Sequence, residues 1–238
     1  MGQIKTVTPE SYKIIAIIPA RGGSKRMPFK NILQIHGKPL IGYSIEQARN
    51  SKLVDRVIVS TDDSKIAYVS LSYGSEVIWR PKNLAGDKAT SESALIHALN
   101  ELKKKEDYEP DLVVFLQCTS PVRQSGDIDH AIKTLVKSGA DSLLSATEHD
   151  KFIWRRNKKT VWPLNYNYRK RPREQDFPEE FKENGSIYVF KPWVLIKGKN
   201  RLGGKIAIYK MNYWSSLQLD SQEDLKLMEW VMKNVAFK

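Results

Sequence analysis

Five consecutive apolar residues at positions 14–18 end in Pro19 and run straight into a loop with two glycines and four cations. A run that short, apolar throughout and bounded by turn residues, is predicted to be a strand buried on both faces, as in the middle of a parallel sheet. The loop that follows reads A-R-G-G-S-K-R-M-P-F-K-N over residues 20–31. Gly22 and Gly23 allow a tight turn and a close backbone approach, and Arg21, Lys25, Arg26 and Lys30 supply positive charge. That combination suits an oligophosphate. It is not a Walker A loop, because the G-x-x-x-x-G-K-[ST] spacing is absent. In an open parallel sheet, ligands bind beyond the C-terminal ends of strands, which is where this loop would lie.

The remaining chain alternates short apolar runs with amphipathic ones, the pattern of strands joined by crossover helices. Further strands are predicted at 56–60, 76–79, 111–116, 141–147, 186–190 and 205–211. Helices are predicted at 39–50, 64–73, 91–105, 126–137 and 223–234, with Thr61-Asp62-Asp63 capping the second and Ser91 the third. A short extended piece at 32–37 turns at His36-Gly37. Residues 151–184 break this rhythm with aromatics, prolines and charges, and read as an insertion reaching away from the sheet. The organisation expected is one α/β domain over 12–238 with an N-terminal extension at 1–11.

Composition narrows the partners. Lys and Arg number 39 against 27 Asp and Glu, a net charge of +12 that favours polyanions or acidic small substrates. The charge is spread along the chain, with no RNP-type aromatic or helix-turn-helix pattern, so nucleic acid is the weaker inference. There is no apolar run of membrane-spanning length and no secretory h-region in residues 1–12, so no membrane association is expected and a cytoplasmic location is. Cys118 stands alone, which excludes an internal disulfide; it follows a buried-looking run and reads as a small core residue.

Three further segments carry candidate chemistry: R-P-x-x-L-A-x-D at 80–87, L-Q-C-T-S-P-V-R at 116–123 and Q-L-D-S-Q-E-D at 218–224. Together with I-P-A-R-G-G-S-K-x-x-x-x-K-N they resemble the motifs of the sugar-activating cytidylyltransferases, most closely the acylneuraminate (CMP-sialic acid synthetase) branch. The resemblance runs from residue 12 to the C-terminus. It implies a Rossmann-like, three-layer α/β/α nucleotidyltransferase fold with a mostly parallel sheet and a small dimerisation insertion, hence a homodimer.

By the same resemblance, Ala20, Arg21, Gly22, Gly23, Ser24, Lys30, Asn31, Arg80, Ser91 and Gln117 would bind the nucleotide, CTP. Gln117, Thr119, Ser120, Arg173, Asn184 and Tyr188 would face an acidic sugar, with Arg21, Lys30 and Asp220 catalytic. Arg169, Arg171 and Lys182 compete with Arg173 for the sugar carboxylate, and Tyr188 can face core or sugar. The cofactor implied is Mg²⁺. The family carries two acids as [DE]-I-D, of which Asp220 matches the second while Gln218 replaces the first and can coordinate only through its carbonyl oxygen. Asp220 can alternatively cap the last helix. The expected activity is transfer of CMP from CTP to an acidic nine-carbon sugar with release of pyrophosphate. An inactive nucleotide- or sugar-binding relative is the alternative, motivated by Gln218.

Overall fold

In the computed structural model, which describes residues 8–23 and 27–235, the first apolar run becomes strand β1 (Ile14–Pro19). Its side chains alternate between two cores: Ile14, Ala16 and Ile18 enter one, Ile15 and Ile17 the other. That is why the run has no polar face. It pairs in parallel with β4 (Arg56–Thr61) on one side and β6 (Leu112–Leu116) on the other, with Ile17 opposite Ile58 and Phe115.

The central sheet has seven strands in the order β11-β7-β10-β6-β1-β4-β5, completed by β5 (Glu76–Trp79), β7 (Ser142–His149), β10 (Glu180–Phe190) and β11 (Ile206–Met211). All run parallel except β10, which is antiparallel to both β6 and β7. Helices cover both faces, each burying one apolar stripe. On one face lie α1 (Leu40–Arg49), α2 (Ser64–Ser72) and α4 (Asp127–Ser138), with Ile41, Ile45, Ile66 and Ile132 packed on the strands. On the other lie α3 (Ser91–Glu106) and α5 (Pro192–Gly198), contributing Leu95, Leu99, Val194 and Leu195. The last helix, α6 (Gln222–Asn234), packs Met228 and Val231 against Leu40 and the small hairpin of β2 (Gln34–Ile35) and β3 (Lys38–Pro39).

The main departures from the sequence reading fall after residue 150. The insertion contains a hairpin, β8 (Trp154–Arg156) with β9 (Val161–Pro163), and two short 3₁₀ turns. The returning strand was expected from 186, but β10 begins at Glu180, pairing with the tail of β7 up to His149. Helix α5 was not anticipated, although Pro192 at its first position is a favoured helix opener. Ser91 does not cap α3; Thr90 does, its Oγ1 accepting from the Ser93 N–H at 3.2 Å.

Candidate active site

The chain leaves β1 for β4 on one side and later places β6 on the other, so the sheet's connection direction reverses between β1 and β6. A crevice opens at such a switch point. Here it is a cavity of about 300 Å³, at the lower end of small-molecule sites of roughly 300–1,000 Å³. Arg21, Gly23, Lys30, Asn31, Arg80, Ser91, Gln117 and Thr119 all line it, so most of the sequence-derived nucleotide set converges.

The glycine loop is anchored before it reaches the crevice. Ala20, buried, donates its N–H to the Ser60 carbonyl at 2.9 Å. Gly22 donates to Asp62 Oδ1 at 3.0 Å, and a Cβ there would lie 2.7 Å from Asp63 Oδ2. Asp63 cannot yield cheaply, because its other oxygen caps α2 through the N–H groups of Lys65 and Ile66. Gly22 is therefore dictated by the approach to α2, and close approach to a ligand falls to Gly23. Asn31 neither caps nor points outward; its Nδ2 donates to the Arg21 carbonyl at 3.0 Å and ties the loop's two ends together. Ser24, with Lys25 and Arg26, lies outside the described residues.

Each crevice cation is held by another segment. Arg21 Nη1 donates to the Gly86 carbonyl at 2.8 Å, and its Nη2 lies 3.6 Å from Asp87. Lys30 Nζ donates to the Leu219 carbonyl and to Asp220 Oδ1, both at 3.0 Å. Arg80 is buried, with Nε and Nη2 donating to Ser60 Oγ at 3.2 Å and its carbonyl at 2.7 Å. Burial lowers its pKa from the usual arginine value, Asp62 opposes this, and nearby Arg21 adds to it. These three guanidinium and ammonium groups, together with the N-terminus of α3, create a concentrated positive field at the crevice.

The segment before α6 lies beside the crevice, against Lys30. The Leu219 N–H donates to the Thr119 carbonyl at 2.8 Å, which docks residues 218–220 beside the end of β6. Asp220 is not the cap of α6: Ser221 is, in a capping box with Asp224. The Asp220 carboxylate, half exposed, pairs with Lys30, which lines the crevice; Asp220 itself does not. Gln218 turns its Nε2 to the Asn184 carbonyl at 2.8 Å.

The residues expected to face a sugar divide. Gln117 and Thr119 line the crevice. Ser120 and Asn184 are buried behind it; Asn184 Oδ1 accepts from Ser145 Oγ at 2.6 Å and the Ser186 N–H at 3.1 Å, so its side chain holds the sheet rather than lining the crevice. Tyr188 takes the core side of its alternative. Its ring stacks on Phe115 with centroids 5.3 Å apart, Arg201 lies over it at 4.8 Å, and its hydroxyl donates to Glu183. Burial and then Glu183 push that hydroxyl's pKa well above the phenol range. Arg173 sits on an exposed turn and binds Asp176 at 2.6 Å, away from the crevice lining. Its competitors do not line the crevice either: Arg171 lies 3.8 Å over the Phe152 ring, Arg169 over Tyr168, and Lys182 is exposed on β10.

Sequence reasoning missed Asp62 and Thr90. Asp62 was read only as part of a helix-capping run, and Thr90 was overlooked because Ser91 beside it has the same capping chemistry. Cys118 is buried and free, with burial raising its thiol to about 12, so it is no nucleophile. A second cavity of about 380 Å³ lies between α1 and the start of α4; there Lys38 pairs with Glu46, Asp129 accepts from Ser51 and the Lys52 N–H, and the buried Arg123 Nε makes no hydrogen bond.

Among the described residues there is no group of three or more His, Cys, Asp or Glu that could hold a metal alone. The donor chemistry fits an ion shared with a phosphate ligand. Asp220 offers one hard carboxylate, and Mg²⁺ commonly takes one or two carboxylates, completing its shell with phosphate oxygens and water.

Comparison with known proteins bears on the family and the fold. The sequence model of the cytidylyltransferase family matches residues 15–237. The chain is 34% identical over 224 residues to N-acylneuraminate cytidylyltransferase A of Danio rerio, covering 92% of this chain but only 51% of that protein. It is 32% identical to the post-translational flagellin modification protein B of Campylobacter coli, covering 93% of this chain and 95% of that one. It is also 35% identical to a pseudaminic acid cytidylyltransferase of Campylobacter jejuni over 76% of this chain and 81% of that one. Among solved structures, a CMP:2-keto-3-deoxy-manno-octonic acid synthetase complexed with CTP superposes with a TM-score of 0.72 at 19% identity, covering 93% of this chain and 98% of that one. A 4-diphosphocytidyl-2C-methyl-D-erythritol synthase from Anaerococcus prevotii superposes at 0.66 and 16%, covering 93% and 96%. These two share the fold. With the family model spanning nearly the whole chain, this protein belongs to the cytidylyltransferase family.

Proposed function

We propose that this protein activates an acidic nine-carbon sugar: CTP plus sugar gives CMP-sugar and pyrophosphate. The observation that carries the reading is the convergence of Arg21, Lys30, Arg80 and Gln117 at the switch point between β1 and β6. The relatives named above act on N-acylneuraminate and pseudaminic acid, which are sugars of this class. No observation favours an inactive binding relative.

The sugar's anomeric oxygen attacks the α-phosphorus, the bond to the bridging oxygen breaks, pyrophosphate leaves in line, and the hydroxyl proton passes to solvent. Little covalent work falls to the protein, so catalysis rests on positioning and on neutralising phosphate charge. Lys30 and Arg21 hold the phosphates, exchanging Asp220 and Asp87 for phosphate oxygens. Arg80 is a buried fixed charge at the base of the crevice. Gln117 offers both a donor and an acceptor, as recognition of a cytosine edge or a sugar hydroxyl requires. Asp220 would hold Mg²⁺, which when bound neutralises phosphate charge and lowers the pKa of a coordinated oxygen.

The protein is proposed to work as a homodimer built on the insertion. Trp154, Val161, Leu164 and Tyr168 are exposed there, and the β8–β9 hairpin has only two strands. Such a hairpin is marginal alone in water and gains from packing on a second copy. A cytoplasmic location fits the single free thiol.

Pyrophosphate release with CTP and a panel of sialic, legionaminic and pseudaminic acids tests the reading. Release with one or more of these acids and CTP, and far less with ATP or GTP, is expected. No release with any of them while CTP binds would overturn it.

A further inference from the structure

Strand β10 does not pair evenly with β7. Glu183 sits opposite Ala146 and Tyr188 opposite Leu144, so four residues of β10 lie between these pairs against one of β7. Bulges of this kind bend a strand and re-aim its residues near active sites. This one is pinned from several sides. Ser145 Oγ donates to Asn184 Oδ1 and accepts from the Ile187 N–H at 2.8 Å. Arg123, fully buried, donates Nη2 to the Ser186 carbonyl at 2.8 Å and to the Gln117 carbonyl at 3.0 Å. The Asn184 carbonyl accepts from Gln218 Nε2 at 2.8 Å and, more weakly, from Ser120 Oγ at 3.4 Å.

At the apex Gly185 has φ +64°, and a Cβ there would lie 2.5 Å from both Gln117 Oε1 and Gln218 Nε2. Two amide side chains, one from the end of β6 and one from the segment before α6, thus meet on the bare Cα of Gly185. Gln117 lines the crevice; Gln218 is not among its lining residues. We propose that Gln218 is a positioning residue, clamping the β10 bulge through the Asn184 carbonyl so that Gly185 backs the Gln117 side chain. It is not a metal ligand. The amide at this position has a reason of its own: a carboxylate would set an acceptor against the Asn184 carbonyl and could donate nothing. Within residues 218–220 Asp220 then offers the one carboxylate, and the bulge gains a donor in exchange.

The kinetic part of the test rests on the proposed cytidylyltransferase activity; the structural part does not. Gln218→Met removes the donor at similar length, and Gln218→Glu restores an acid; Asp220→Asn runs in parallel to show that the assay senses the ion. For both Gln218 variants the KM for the sugar should rise roughly three- to ten-fold, the scale of one lost neutral hydrogen bond, with kcat held within about two-fold. The Mg²⁺ concentration for half-maximal rate, and Mn²⁺ affinity of the CTP complex by paramagnetic resonance, should stay at wild-type values in both and weaken in Asp220→Asn. Amide hydrogen exchange at 185–187 should speed up in Gln218→Met while β1 stays protected. A lowered Mg²⁺ requirement in Gln218→Glu, or a raised one in Gln218→Met, would make residue 218 a metal ligand and overturn the proposal. Unchanged sugar KM in both variants would overturn it too. Should wild-type protein bind CTP but release no pyrophosphate, the function reading falls, and exchange at the bulge alone decides: wild-type protection there in Gln218→Met would end the clamp.

Discussion

The nucleotide half and the insertion are built on opposite principles. In the first, strand tips and a helix N-terminus deliver polar groups to a shared crevice, and its cations are fixed by partners within the chain, such as Lys30 by Asp220 or Arg80 by Ser60. In the second, aromatic rings stack on one another, Phe152 on Tyr166 at 4.4 Å and on Phe177 at 5.2 Å, while their arginines lie over rings or bind near neighbours. The described lining of the crevice comes from one chain. The insertion leaves large apolar side chains exposed and needs something to lie against. Positioned charge can be made locally by a sheet edge; the arginines at 169, 171 and 173 are exposed, and none lines the crevice of its own chain.

The sharpest way to break that contrast is at Lys30. Lys30→Ala removes one fixed cation proposed to strengthen its hold as phosphate charge develops, and loss of such a group costs about 2.7–4 kcal/mol, or ~10²–10³ in kcat/KM. Stability should hardly move, because the Lys30–Asp220 pair is half solvent-facing on the acid side and such pairs contribute about 0–1 kcal/mol. Pyrophosphate kinetics beside a thermal melt would check both. Turnover near wild type in a folded Lys30→Ala would show that the crevice is not where phosphate is held.

A smaller effect is expected across the insertion. Trp154→Glu puts a charge at a side chain that is 47% exposed and touches Tyr166 and Tyr168 edge-on or tilted. Light scattering at micromolar concentration should show the wild type as a dimer and this variant as a monomer. Burying an unpaired charge in an apolar interface costs several kcal/mol. CTP affinity should persist within about two-fold, since the crevice is self-contained, while sugar turnover falls at least ~10-fold if the partner completes the acceptor site. A wild type that is monomeric with full turnover would dissolve the contrast, leaving both halves self-sufficient.

What could be read in advance follows the same division. Strand β1 and the motifs around Arg21, Arg80 and Gln117 announce themselves because an apolar run and the turn after it are local, and the sheet's topology then gathers them. The first half of β10 could not be read, since Glu180, Lys182 and Glu183 carry no apolar run and their pairing with the tail of β7 is purely tertiary. Asn184 and Tyr188 were placed near the sugar by motif position, yet which side of a bulged strand a residue faces depends on the bulge, and four residues against one defeats simple alternation. Asp220 was ambiguous for a different reason: it precedes a serine that also caps, and only the capping box with Asp224 assigns the cap to Ser221. Gln218's partner, Asn184, is 34 residues away, beyond any local rule.

The mildest test needs no substitution. Cys118 sits in the nucleotide half, buried in the crevice wall, and burial raises its thiol to about 12. The thiolate is the reactive form, so a folded chain should resist a disulfide reagent near neutral pH and react only through global opening. The insertion, with few buried contacts, should open first: limited proteolysis is expected to cut around the exposed 157–160 turn or the 169–173 stretch well before Cys118 becomes reactive. The pH trend has a definite sign. Above about pH 9 the unfolded thiol loses its proton while the folded one keeps it, so the unfolded state binds fewer protons and stability falls as pH rises from there towards 12. Thiol labelling should therefore track global unfolding and accelerate with alkali, whereas cleavage in the insertion should slow when a dimer forms at higher protein concentration. Labelling of Cys118 as fast as cleavage of the insertion would mean that the crevice is no more rigid than the hairpin.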